Sequence, residues 1–366
     1  NNTNTVIWLN GHTITGRVIC QFNCYGLEIY GGTHNCATTD ATAIGCLSIS
    51  DSANGPATIK IHDITGANTV NATGANAARW LNLDWSGTPT GIITITISNL
   101  TLSMTNVTDA STQRVVNLNV NGPNNNHALV ELTNSSLTCG PVTATCQGIQ
   151  CFTSICHIHN NYGNMQENTS LGDTARFTVS DGNVNCGGGS SICATTLQEY
   201  DHNDCDANNN RCFRARNIQN LIIHDNVIWG ILDDGVDNGN NVAAMHFGDP
   251  DTGDNLSMGI AVYNNKFQLK GAGTAVMARN ETGVSVFSNL AVCSGSCAGG
   301  GGAFIDLRQA LNGGSNSTLT AKNNLNIPGF TSANKVATGA GTILTYCNTG
   351  TPITVAGTGT ATQSCP

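Results

Sequence analysis

Between Glu199 and Asp254 the chain carries 11 of its 23 acidic residues, with Arg211, Arg214 and Arg216 beside them. Three sub-clusters stand out: Tyr200-Asp201-His202-Asn203-Asp204 with Asp206, then Asp233-Asp234-Gly235-Val236-Asp237, then His246-Phe247-Gly248-Asp249-Pro250-Asp251-Thr252-Gly253-Asp254. Paired aspartates can serve as acid and base across a glycosidic bond when a water fits between them, so Asp233, Asp234 and Asp237 form a glycosidase-type candidate. Arg214 and Arg216 alternate and can project from one strand face, where an arginine could take the proton α to a uronate carboxyl. If the chain is an enzyme, Asp233, Asp234, Asp237, Arg214 and His246 are its candidates. No catalytic motif is complete, and the competing reading is a solvated acidic bend balanced by exposed arginines.

Two patterns could hold metal. Asp249, Asp251 and Asp254 alternate around Gly253 and can converge on calcium, although the closing Glu of an EF-hand loop is missing. His157 and His159 can share a strand face, but no third ligand stands near them in the sequence. No Ser-His-Asp order, phosphate-binding loop or dinucleotide fingerprint is recognisable.

The cysteines point to an oxidising compartment. There are 16 in 366 residues, without the paired CxxC spacing of a zinc site. They fall into consecutive neighbours: Cys20/Cys24, Cys36/Cys46, Cys139/Cys146, Cys151/Cys156, Cys186/Cys193, Cys205/Cys212, Cys293/Cys297 and Cys347/Cys365. Local loop staples are the natural reading, with Cys24 to Cys36 as an open alternative.

Charge is sparse: 14 Lys+Arg, a net charge of −9 and 10% charged residues overall. That argues against nucleic acid and against a groove for acidic polymers, both of which need clustered cations. No apolar run is long enough to span a membrane. The chain opens at Asn1 in mid-pattern with no basic and apolar leader, as a secreted protein would after its signal peptide is removed. Nine N-x-Ser/Thr sequons, at Asn1, Asn71, Asn99, Asn106, Asn134, Asn168, Asn255, Asn280 and Asn316, are acceptors wherever the host glycosylates.

The elements that must position these groups are short strands ending in a polar anchor. They read Ile59-x-Ile61-x-Asp63, Ile95-x-Ile97-x-Asn99, Val130-x-Leu132-x-Asn134 and Phe177-x-Val179-x-Asp181, then Leu221-x-Ile223-x-Asp225, Ile260-x-Val262-x-Asn264, Val284-x-Val286-x-Ser288 and Leu319-x-Ala321-x-Asn323. The anchors lie 36, 35, 47, 44, 39, 24 and 35 residues apart, a period that marks a repeat architecture. The apolar pair faces inward, and Asn or Asp takes the left-handed backbone that turns the chain. A coil of roughly 22–25 residues plus loops fits, with some intervals spanning one coil and others up to two. The best helical signal is Asn76 to Leu83, read as a short helix or a loop insertion. Segments 101–128 and 186–216 read as projecting loops.

The opening Val6-Ile7-Trp8-Leu9-Asn10-Gly11-His12-Thr13-Ile14-Thr15-Gly16 resembles the first coil of right-handed parallel β-helix proteins. Ile222-Ile223-His224-Asp225-Asn226-Val227-Ile228 is similar to the repeat of the pectate-lyase-like superfamily. The resemblance implies an all-β, single-stranded right-handed parallel β-helix with disulfide-stapled loops. The sequence reads as one domain over 1–366, with N-terminal coils or cap over 1–50 and a C-terminal capping segment over 339–366. In function the resemblance is broad, since such rods carry lyases, hydrolases, epimerases, adhesins and filaments. The Asn-Thr-Asp, Gly-His-Gly and Arg-Ile-Lys motifs that accompany catalytic aspartates in β-helix polygalacturonases are absent.

The expectation is therefore an extracellular structural protein at the cell surface, self-associating into a filament or coat. The alternative is a secreted carbohydrate-active enzyme, hydrolase or lyase, or a glycan-binding adhesin.

Overall fold

Ile93-Thr94-Ile95-Thr96-Ile97 alternates β-branched apolar and polar residues, the period of a strand with one face buried. In the structure Ile93, Ile95 and Ile97 are fully buried, and the hydroxyl side chains between them face outward. Asn99 then adopts a positive φ of 54°, and the buried set resumes at Leu100, Leu102 and Met104. Two successive outward residues at Ser98 and Asn99 thus turn a corner while the apolar side stays inside. Asn tolerates this left-handed conformation at little cost.

The computed structural model describes residues 4–21, 23–38, 45–51, 56–70, 78–85, 91–105, 113–120, 128–140, 146–152, 155–165, 175–180, 198–206, 211–216, 219–231, 243–248, 257–270, 274–279, 281–293, 303–308, 317–326, 332–337, 343–349, 353–356 and 359–365. All of its secondary-structure elements are strands. The pairings are parallel and step from one coil to the next, which makes the fold a right-handed parallel β-helix. By compactness the chain divides into two units, Asn1–Gln198 and Glu199–Pro366.

In the first unit, Gly26–Thr38, Ala57–Val70 and Ile93–Thr105 stack in register, with Ile29 beside Ile61 and Ile61 beside Ile97. A second set runs through Gly45–Asp51, Arg79–Trp85, Gln113–Val120 and Cys146–Phe152, aligning Leu47, Leu81, Val116 and Ile149. The core between the two sets holds Trp80 and Trp85, both fully buried. Gly66 makes room for one of them, since a Cβ there would overlap the Trp80 indole. Trp80 donates its Nε1–H to the His34 carbonyl at 3.2 Å. Outside the bend, Thr13, Thr33, Thr65, Thr101 and Ser136 form one hydroxyl column from coil to coil.

In the second unit the first set is Gln219–His224, Ser257–Tyr263, Val284–Phe287 and Thr318–Asn326. The second set is Arg211–Arg216, Ala243–Phe247, Thr274–Arg279, Ala303–Arg308 and Ser332–Ala337. At the bends Asp225, Asn264, Ser288 and Asn323 have φ between 52° and 57°. The residue after each is a buried asparagine. Asn226, Asn265, Asn289 and Asn324 are each 1% exposed and form a ladder. The Asn203 N–H donates to Asn226 Oδ1 at 2.9 Å, Asn226 to Asn265 at 3.1 Å, Asn265 to Asn289 at 2.9 Å and Asn289 to Asn324 at 2.9 Å. Each Nδ2 also satisfies a backbone carbonyl, such as Ile223 O for Asn265 at 3.0 Å. The bend interior, where orphaned backbone groups would be costly, is thereby paired.

Disulfides join Cys20–Cys24, Cys36–Cys46, Cys151–Cys156, Cys205–Cys212 and Cys347–Cys365. The partner that fits the open alternative, Cys24 to Cys36, is thus replaced by two shorter staples. Cys139 and Cys293 are also disulfide-bonded, while the side chains of Cys146, Cys186, Cys193 and Cys297 fall outside the described residues.

Several sequence readings are corrected. Arg79–Trp85 is a strand of the second set, not a helix or an insertion, because it pairs in register with Gly45–Asp51 and Gln113–Val120 and buries its apolar residues. The segments read as loops contain the end of Ile93–Thr105 together with Gln113–Val120, Gln198–Asp201, Asp204–Asp206 and Arg211–Arg216. Intervals of 35 and 36 residues are single coils with long connections, since Ile61 pairs directly with Ile97 and Ile97 with Leu132. The interval after Asn134 hides an unread floor: Ile155–His159 pairs with Ala128–Thr133, and Asn160 takes the bend at φ 57°. Within the segment expected to cap the C-terminal coil, Ile343–Thr349, Ile353–Ala356 and Thr360–Gln363 are paired strands.

Candidate functional site

The last outward residue before each bend forms a column on the first set of strands. In the second unit, His224, Tyr263, Phe287 and Lys322 are in register. The His224 ring lies 4.8 Å from that of Tyr263 with planes 3° apart, and Tyr263 lies 5.0 Å from Phe287 at 14°. Their faces cover one another, so the column presents ring edges to solvent.

Carboxylates surround the histidine at the head of this stack. Gln198–Asp201 carries Glu199 and Asp201, and the bend after Gln219–His224 supplies Asp225. The His224 ring meets Glu199 Oε1 through Nε2 at 2.7 Å and Asp225 Oδ2 through Nδ1 at 2.6 Å. Burial opposes charging of His224, but the hydrogen bonds to Glu199 and Asp225 and the charges of Asp201 and Asp225 together raise its pKa. Burial, followed by the charges of Glu199, Asp225 and Asp201, also raises the Tyr263 hydroxyl. His202, itself at φ 53°, faces Asp201 Oδ2 through Nδ1 at 2.6 Å. Glu199, Asp201 and His224 each offer a donor atom within 4.8 Å of the others. Asp201 and His202 belong to the first acidic sub-cluster of the sequence. No local pattern pairs Glu199 with His224, which are 25 residues apart in sequence and meet only through coil stacking.

The first unit repeats half of this arrangement. His62 meets Glu28 through Nε2 at 3.1 Å and Asp63 through Nδ1 at 2.7 Å, and it stacks on Tyr30 at 4.8 Å. Burial again opposes the charge and the two acids outweigh it, so the His62 pKa is raised. His157 and His159 do share a strand face and stack on each other at 4.2 Å, with His159 beside Glu131 at 3.2 Å.

The other candidates lie on the second set. Arg214 and His246 are direct cross-strand neighbours, and Met277, Asp306 and Lys335 follow in the same row. Arg214 is 5% exposed, His246 1% and Asp306 0%. Arg214 is therefore not the solvent-facing balancing charge that one sequence reading expected. Both faces of this strand set are buried there. Asp233, Asp234, Asp237, Asp249, Asp251 and Asp254 lie outside the described residues, as does the side chain of Arg216. No helix among the described residues is long and apolar enough to cross a membrane.

No family model matches the sequence, and no curated protein matches it. Among solved structures the chain is similar to PfbA, a surface adhesin of Streptococcus pneumoniae, at 10% identity and a TM-score of 0.42 over 97% of this chain and 82% of that one. A second structure of that adhesin matches at 11% identity and 0.40, over 98% and 91%. The A-module of the Azotobacter vinelandii mannuronan C-5 epimerase AlgE6 matches at 11% and 0.24, over 93% and 91%. The fold of the present chain rests on its own strand pairing.

Proposed function

We propose that the chain is an extracellular structural β-helix, a subunit that assembles with copies of itself into a surface filament or coat. The buried asparagine ladder carries this reading. Each bend from Asn203 to Asn324 is bonded to the next by a side-chain amide as well as by strand pairing. Disulfides add covalent closure, which suits an oxidising compartment. Rigidity of this kind serves a load-bearing protein, and solenoids can extend by stacking. Among the described residues Thr5–Trp8 and Val18–Cys20 are each paired along one side. Val6, Trp8 and Ile19 are 54%, 60% and 48% exposed on them. Such an edge accepts another strand. Electron microscopy of the purified protein should show fibres that Trp8→Glu shortens. Isolated particles persisting at high concentration would overturn the reading.

A second reading, a secreted carbohydrate-active enzyme or a glycan-binding adhesin, draws on the adjacency of Arg214 and His246 with Asp306 in their row. It requires a polysaccharide from a panel to release reducing ends or unsaturated products, with loss in Arg214→Ala, His246→Ala or Asp233→Asn. Binding without turnover would select the adhesin.

A further inference from the structure

We propose that Glu199, Asp201 and His224 bind one divalent transition-metal ion, Zn²⁺ by preference, with Asp225 holding the His224 ring in the ligating orientation. The site stands whether or not the chain polymerises.

The donor set argues for the class of ion. One imidazole nitrogen and two carboxylates suit zinc and its first-row neighbours, whereas calcium and magnesium take oxygen shells. Three protein ligands leave a fourth position for water. Donors bound to one tetrahedral zinc lie about 3.3 Å apart, from bonds of about 2 Å. Here all three donor atoms already lie within 4.8 Å of one another. Closing the set needs movement of side-chain ends alone.

The orientation of the imidazole is the second observation. Metal-bound histidines commonly donate their other ring N–H to a carboxylate, which fixes the tautomer. Asp225 Oδ2 sits 2.6 Å from Nδ1, so Nε2 is the atom turned toward Glu199. The Tyr263 ring backs the imidazole from the next coil and limits its rotation. Glu199, Asp201 and His224 all sit on strands, so the donors do not depend on a loop. With Asp225, three carboxylates gather around His224 and His202, the latter on Asp201 Oδ2 at 2.6 Å, and a divalent cation would offset part of that negative charge.

The first unit supplies an internal control. His62 has the same two neighbours, Glu28 at Nε2 and Asp63 at Nδ1. The residue in register with it on the preceding coil is Tyr30, not a carboxylate. A histidine between two acids is therefore not enough; the second carboxylate ligand, Asp201, distinguishes the site.

The test uses tag-free full-length protein stripped with chelator and titrated calorimetrically with ZnCl₂, alongside CoCl₂ followed by its visible absorption. The expected result is one Zn²⁺ site per chain. His224→Gln and Glu199→Gln should each weaken it by about 100-fold, and Asp225→Asn by roughly 10- to 100-fold, the usual effect of losing an orienting partner. His62→Gln should leave it unchanged, and Co²⁺ should give ligand-field bands that His224→Gln abolishes. Should His224→Gln fail to fold, Glu199→Gln carries the same reading, because its side chain is 33% exposed. A Zn²⁺ isotherm that is the same in wild type and in Glu199→Gln, or Ca²⁺ bound as tightly as Zn²⁺, would overturn the proposal.

Discussion

Tyr263 lies flat against His224, the two rings 4.8 Å apart and within 3° of parallel, although 39 residues separate them in the chain. Strand pairing sets this contact, because the two residues are opposite one another in register. Phe287 continues the stack on the next coil. Replacing Tyr263 with Leu keeps apolar bulk and removes the ring contacts on both sides. The expected cost is about 1 kcal/mol in urea unfolding. A midpoint equal to wild type would show that the stacking contributes nothing.

Two histidines should make stability fall as pH rises. His62 and His224 have folded pKa values above the ordinary imidazole value of 6.5, because neighbouring carboxylates outweigh the opposing effect of burial. A raised folded pKa gives stabilisation that is complete below the unfolded value and lost as pH climbs through the folded one. In protein stripped of metal, the melting temperature should therefore decline above about pH 6.5, and His62→Gln with His224→Gln should flatten that decline. An unchanged slope in the double variant would refute the assignment.

Adjacent asparagines should respond unequally to substitution. Asn265 is buried, accepts the Asn226 N–H at 3.1 Å and donates to Ile223 O and Tyr263 O at 3.0 Å each. Asn265→Ala removes these side-chain hydrogen bonds from inside the bend and should cost about 3 kcal/mol. Asn264 is exposed at φ 54°. Asn264→Gly should be nearly neutral and Asn264→Ala should cost about 1 kcal/mol. Equal losses at Asn265 and Asn264 would contradict the ladder.

Gly66 is required by its neighbour rather than by its own backbone. A methyl group there would meet the indole of Trp80, which is fully buried. Gly66→Ala should cost about 3 kcal/mol, and adding Trp80→Leu should recover part of that loss. If the two changes are additive, the overlap is not the cause.

Cys205 and Cys212 are joined across a separation of 7 residues, and both are fully buried. Opening that short loop by Cys205→Ala with Cys212→Ala should cost about 2 kcal/mol from unfolded-chain entropy. The measurement is unfolding of wild type and double variant under oxidising conditions, where a matched stability would remove the staple from the account.

The coil was largely legible because its signal is local. Ile59, Ile61, Ile95, Ile97, Leu221 and Ile223 lie at successive alternate positions, and all are at most 1% exposed. Seven of the eight polar ends of the repeat, Asp63, Asn99, Asn134, Asp225, Asn264, Ser288 and Asn323, take positive φ. Asp181 lies outside the described residues, and the strand before it, Ala175–Ser180, pairs with Cys146–Phe152 in the second set and not in the first. Ser288 shows that the bend asks for a tolerable conformation, not for one residue type. The floors at Asn160 and His202 escape the pattern because Cys156-x-Ile158 and Gln198-x-Tyr200 put a cysteine and a glutamine where the other floors have an apolar residue of the aliphatic or aromatic kind, and histidine is an unusual bend residue. The candidate site was less legible. Glu199 and His224 converge through the length of a connection, which no local pattern records, and Arg214 was misread as exposed because charge alone does not reveal that its strand is covered on both sides.

The asparagine ladder also sets how this unit would yield to a pull. Neighbouring amides are separated by 23, 39, 24 and 35 residues. A terminal coil can peel away only by surrendering its amide bond to the one beneath, so stretching a single molecule should release contour in steps that follow that sequence of lengths. The irregular intervals of the repeat would thus be read out as an uneven staircase of extension, shortened wherever a disulfide withholds its loop.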